Sequence, residues 1–229
     1  MGRFAPCPRF RVKGDSIPQL LDAQLPSITA QLDRLVELGV HDLADLSASD
    51  FRALAGDLPT APGTLLVVAP ALVPVSRLAP LLRRDGTPGF VVEDMTDLDA
   101  FEPIPEAGIP ASALYTITGL ERGDEYANWS PNEALPELVR RGRRPLTVGE
   151  GVSWLLQRPD MLEPNACFMT IGSRKRRGAG LDARTPAIWI SGGTGRDGRE
   201  RRGAPKVGWC WAGNRHTWLG IASSDPGGR

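Results

Sequence analysis

Apolar and polar positions along the 229-residue chain fall into three regimes. From Ser16 to Leu38, apolar residues (Leu20, Leu21, Leu25, Ile28, Leu32, Leu35, Val36, Leu38) recur at close to 3.6-residue spacing, which predicts helix stopped by Gly39. Pro26 removes a backbone donor, so the pattern reads as a short helix, a break and a longer helix from about Ser27. Two short helical turns follow at 43–46 and 50–54, with Ser49 as a cap. The second regime opens at TLLVVA (64–69), a continuous apolar run between Pro62-Gly63 and Pro70 that predicts a buried strand. An amphipathic helix over 75–84 and a strand from Phe90 complete a strand–helix–strand unit, expected to be a parallel crossover. ALYTIT (113–118) reads as a further strand. In NWSP, Ser130 caps a helix with Pro131 at its first position and Glu133 in its first turn, ending at Gly142. Thr147 and Glu150 form a capping box for the next helix, which stops before Pro159. The third regime has strands at 167–171 and 187–191 and then the densest aromatic stretch of the chain.

That stretch, PKVGWCWAGNRHTWLGIASS (205–224), has period two. Val207, Trp209 and Trp211 alternate with Gly208, Cys210 and Ala212; Gly213-Asn214 breaks the strand; His216, Trp218 and Gly220 alternate with Thr217, Leu219 and Ile221. The spacing predicts a hairpin or bent strand pair with Trp rings on one face and Asn214 and His216 at the bend. Three of the six Trp lie here and Trp189 is just upstream. Such a wall is either a core layer or one side of a cleft.

Composition narrows the class. Pro 21 and Gly 26 imply many turns and short elements. Lys+Arg 27 against Asp+Glu 27 gives the whole chain no preference for nucleic acid or membrane, and no apolar run approaches a membrane span. Two basic links, Ser173 to Arg184 and Gly192 to Gly203, read as solvated loops. From Ser173 to Lys206 there are ten Lys/Arg against three Asp/Glu. Residues 93–106 are the acidic counterpart, but they lack a calcium-loop pattern. Cys7, Cys167 and Cys210 have no regular spacing, which suits free thiols in a reducing cytoplasm. The fold class expected is α+β: a flexible arm (1–14), then one compact unit (15–229). The unit comprises an N-terminal helical section (15–58), a mixed part with a small β-α-β portion (59–160) and a C-terminal antiparallel sheet rich in Trp (165–223).

No phosphate loop, nucleophile elbow, C-x-x-C or H-E-x-x-H pattern occurs. The stretches NWSPNEALPELVRRGRRPLTVGEGVSWL, CFMTIGSR, TPAIWIS and PKVGWCWAGNRHTWLG resemble an uncharacterised actinobacterial family, domain-of-unknown-function family 5701. The resemblance runs from about Leu32 to Ser223 and implies a cytoplasmic actinobacterial protein, with no activity or catalytic residues carried over. Arg215 stands where that motif has Pro, which leaves the bend less rigid. The residues themselves favour a binding or accessory protein that holds a small molecule or peptide against Trp209, Trp211 and Trp218. Asn214 and His216 serve as polar anchors and Arg174 lies near the mouth. The alternative is an enzyme with His216 as acid/base, assisted by Cys210 or Asn214. A third reading is an anion or nucleic-acid binder working through the Arg/Gly links. No metal site and no particular cofactor is expected.

Overall fold

A computed structural model describes residues 25–226. The expected arm, the first short helix and Cys7 lie outside them. Six α-helices are placed among the described residues, besides short 3-10 turns: α1 (Ile28–Glu37), α2 (Val40–Leu43), α3 (Ala48–Ala53), α4 (Val75–Leu78), α5 (Pro131–Arg140) and α6 (Val148–Gln157). Seven strands carry the architecture: β1 (Leu65–Val68), β2 (Phe90–Val91), β3 (Leu114–Ile117), β4 (Cys167–Met169), β5 (Arg184–Ile190), β6 (Pro205–Trp211) and β7 (Leu219–Ile221). The fold is α+β, with one hydrophobic core continuous from Ile28 to Ala222.

The caps read at Ser130 and Thr147 are in place, whereas Ser49, expected as a cap, lies inside α3, which Ser47 caps by accepting from Asp50 N at 3.1 Å. Ser27 accepts from Ala30 N at 3.2 Å at the start of α1. Ser130 with Glu133, and Thr147 with Glu150, form complete capping boxes on α5 and α6. The topology differs from expectation in three respects. First, β1 pairs antiparallel with β3, so β1, α4 and β2 form no parallel crossover. Second, the C-terminal sheet is mixed, in the order β7-β4-β5-β6-β2: β5 runs antiparallel to β4 and β6, whereas β2 and β7 join the two edges in parallel. Third, β6 and β7 form no hairpin, because β5 and β4 lie between them. Local patterning cannot reveal such pairings, since any apolar strand fits a buried edge.

Helix α6 holds the two sheets together, and all ten of its residues are buried. On one side Ser153 Oγ accepts from Val68 N of β1 at 3.3 Å. On the other, a Cβ at Gly151 would stand 2.6 Å from Thr170 Cγ2 and 3.2 Å from Ile188 Cδ1, so the backbone itself lies on the larger sheet. Trp154 of α6 and Phe168 of β4 pack with ring centroids 5.5 Å apart. The rest of the open edge of β1 is covered by Gln31 of α1. Its amide donates to Thr64 O at 2.7 Å and accepts from Leu66 N at 2.8 Å, standing in for a neighbouring strand. At the start of α6 a polar knot is sealed in: Glu150 accepts from Arg144 at 2.8 Å, Thr147 N at 2.8 Å and Tyr115 OH at 3.2 Å. Arg144 also donates to Ala107 O at 2.8 Å. Burial pushes the Tyr115 hydroxyl pKa far up, and the Glu150 charge reinforces the shift.

Candidate functional site

Register divides the aromatic residues between the two faces of the large sheet. Trp209 and Trp211 stand opposite Pro186 and Arg184, on the face that Ile188 presents to α6. Trp189 stands opposite Lys206 and shares the other face with Gly208 and Cys210. Gly208 is required there, because a Cβ would come within 2.5 Å of the Trp189 ring. Trp218 belongs with Trp189, at 6.5 Å between centroids, and His216 packs on Trp218 at 5.8 Å. Trp209 and Trp211 form their own pair at 4.7 Å. The expected single wall is therefore two walls, set back to back.

They meet at one place. Strand β2 covers β6 only at Lys206 and Val207, and Val92 N makes the last bond, to Val207 O at 2.9 Å. Beyond it, a cleft of about 240 Å³ opens at the edge of β6 between Trp189 and Trp209. Val92, Glu93 and Asp94 border it where the chain leaves β2, with Thr194, Arg196, Asp197 and Lys206 opposite. The Trp209 indole donates to Asp94 at 3.3 Å. Lys206 Nζ lies 5.1 Å over the Trp189 ring and donates to both oxygens of Asp197 at 2.8 Å. Burial alone would raise the Asp197 pKa; the Lys206 and Ser191 hydrogen bonds outweigh it and lower the value. Behind Trp209, the Arg184 guanidinium lies 5.8 Å from that ring and 5.3 Å from Phe101, and it pairs with Asp97 at 2.6 Å and Asp182 at 3.0 Å. Lys175 reaches the same Asp97 at 2.7 Å. Arg184, with Lys175 helping, holds the Asp97 carboxyl well below the usual range, and Arg184 lowers Asp182 to about 2.

Of the residues singled out by sequence, Trp209 lines this cleft and Trp211, 46% exposed, packs beside it. The others lie elsewhere. Asn214 is exposed in the turn, where its N–H bonds Trp211 O at 3.0 Å. Arg174 donates to Asp182 O at 2.8 Å, and burial lowers its pKa. His216 keeps its Nε2 buried without a partner, and burial lowers its pKa too. Burial pushes the Cys210 thiol up to about 11, and among the described residues no base is hydrogen-bonded to it. Nor do any three His, Cys, Asp or Glu side chains gather as metal ligands among the described residues.

The bend is not loose. Arg215 grips both carboxylate oxygens of Glu133, and Asn128 N and Asn132 N donate to His216 O at 2.7 Å and Ala212 O at 3.1 Å. Arg215 thus ties the loop to the N-terminus of α5, a tether the sequence reading did not foresee. The second basic link is largely exposed, as expected of a solvated loop, but it is anchored at two points: Asp197 is buried and accepts from Ser191 Oγ at 2.7 Å, and Arg201 lies 4.5 Å over the Phe90 ring. Sequence reasoning missed Asp94, Asp97, Arg184 and Lys206. The available signal was the acidic run at 93–106 facing a basic 173–206, opposite charges that fold against each other.

Residues 34–227 match the family of unknown function DUF5701, and the chain belongs to it. No curated protein and no solved structure matches it. Among the described residues, no helix is long and apolar enough to cross a membrane.

Proposed function

We propose that this protein is a binding or accessory protein, and that the cleft between Trp189 and Trp209 is where it holds a small molecule or a peptide side chain. One observation carries the reading. Two large rings from opposite sheet faces, Trp189 and Trp209, border one opening. An aromatic lining with a few placed polar groups is the usual composition of a ligand site. Trp211 packs on Trp209 and Trp218 on Trp189, while His216, Asn214 and Arg174 do not line the cleft. The acid/base reading of His216 with Cys210 or Asn214 draws no support from the geometry, because among the described residues no hydrogen bond joins these side chains and burial pushes the Cys210 thiol up to about 11. The free thiols of Cys167 and Cys210 and the likeness of the four motifs favour the cytoplasm of an actinobacterium. Native mass spectrometry of the purified full chain tests the binding reading: a retained adduct lost in Trp209→Ala is expected. A wild type with no adduct and no Trp fluorescence response to a fragment library would refute it.

A further inference from the structure

We propose that the guest of this cleft is an organic monocation, with a guanidinium or alkylammonium head held against the Trp rings by Glu93 and Asp94. The inference rests on the binding reading above and adds the ligand's chemistry. The chain's own cations show the preference of the rings. Lys206 lies over Trp189 and Arg184 over Trp209, at 5.1 and 5.8 Å. Such placement reflects attraction of positive charge to the negative ring face. The lining holds three carboxylates and two cations, and Lys206 is consumed by Asp197. That leaves Glu93 and Asp94 against Arg196 alone. Glu93 is exposed and makes no hydrogen bond or ion pair among the described residues. Asp94 accepts only the Trp209 indole, at the long distance of 3.3 Å, and Arg196 stops 3.9 Å away, outside hydrogen-bond reach. The Arg196 side chain is 76% exposed, so this guanidinium stands loosely at the mouth and a guest can displace it. Size agrees: about 240 Å³ admits a head group and a few methylenes, below the roughly 300–1,000 Å³ of sites that enclose whole drug-sized molecules. Guanidinium is favoured because it sheds water more readily than ammonium and stacks on rings.

The test follows the Trp189 and Trp209 indole N–H signals by NMR in the full chain. The probes are N-acetyl-argininamide, its neutral isostere N-acetyl-citrullinamide and the anionic N-acetyl-glutamic acid amide. The arginine probe is expected to shift both signals saturably and to bind about tenfold more tightly than citrulline, the scale of one cation–ring contact with a carboxylate. Glu93→Gln, at a side chain that holds nothing in place, is expected to weaken it about threefold, as exposed charges do. Arg196→Ala, which removes the resident cation, is expected to strengthen it about two- to fivefold. N-butylguanidinium compared with acetyl-Gly-Arg-Gly-amide, each a monocation, distinguishes a free small cation from a peptide side chain, and tighter binding of either supports the proposal. Equal binding of citrulline, tighter binding of the glutamate probe, or weaker binding in Arg196→Ala overturns the cationic guest while leaving the cleft a binding site. If no probe moves either indole, the cationic guest is overturned, and the binding reading then stands or falls on the adduct and fragment-library measurements above.

Discussion

Around Glu150 and around Asp97 the chain assembles similar parts, a carboxylate, a guanidinium and an aromatic ring, at two depths. Glu150 is fully buried and its partner Arg144 nearly so, at 0% and 6% side-chain exposure. Every oxygen of that carboxylate is used by Arg144, Tyr115 and Thr147. Asp97 and Arg184 keep 26% and 17% exposure, and water can replace a lost partner. The difference is in what happens when a partner is removed. In the first cluster a buried charge is left uncompensated; in the second a ring loses its brace but the charge finds solvent. Depth thus separates a group that maintains the fold from a similar group that tunes the edge beside the cleft.

The comparison can be broken at its strong end first. Glu150→Ala strands Arg144 and uncaps α6, and a loss of roughly 3–5 kcal/mol is expected in urea denaturation, the scale for breaking a buried pair. A loss below about 1 kcal/mol would show that water reaches this knot too. Asp97→Asn should cost less, about 1–2 kcal/mol, and should redden Trp209 emission as Arg184 shifts. The same cluster sets an acid limit. Asp97 and Asp182 have folded-state pKa values depressed by Arg184, so their contribution is full above the unfolded value of about 4. It is lost as pH falls through their folded values, and stability should drop in that window by an amount that Asp97→Asn reduces.

Asp197→Ala comes next, at about 1 kcal/mol, by releasing Lys206 and Ser191. Excising Gly195 to Arg202 should lower the melting temperature for the same reason, where an unanchored loop would have been silent. Smallest of all is the first link. Its Arg176–Leu181 turn is a two-pair hairpin with both arms exposed, and replacing Arg176 and Arg177 by Gln should change stability by under about 0.5 kcal/mol.

Legibility in the sequence followed the range of each interaction. Ser130, Thr147 and their glutamates act over three residues, so both capping boxes and the helices they open were readable. The runs around Leu66 and Tyr115 were readable as strands because burial alone makes them apolar. Partners were not. Phe90 and Val91 pair with Lys206 and Val207 because a sheet edge must be covered, and nothing near residue 90 encodes that choice. The alternation of Val207, Trp209 and Trp211 was correct for β6. Extending it to Trp218 failed, because a turn at Gly213 says where a strand ends and not where the next one goes. The cleft was invisible for the same reason: Asp94 and Trp209 are 115 residues apart and meet only through the parallel edge.

That parallel edge also has a consequence in time. β2 is made 116 residues before the strand that receives it, since Phe90 pairs with Lys206. At about 5–20 residues per second of synthesis, the earlier strand waits roughly 6–23 s on the ribosome without its neighbour. Pairings of such long sequence separation are also intrinsically slow to close. During that interval α1, α3, β1 and β3 can assemble with one another, because their contacts are complete by Ile117. Nascent chains should therefore pass through a stage with an ordered first half and an unassembled large sheet, in which Phe90 and Val91 are open to chaperones or to proteolysis.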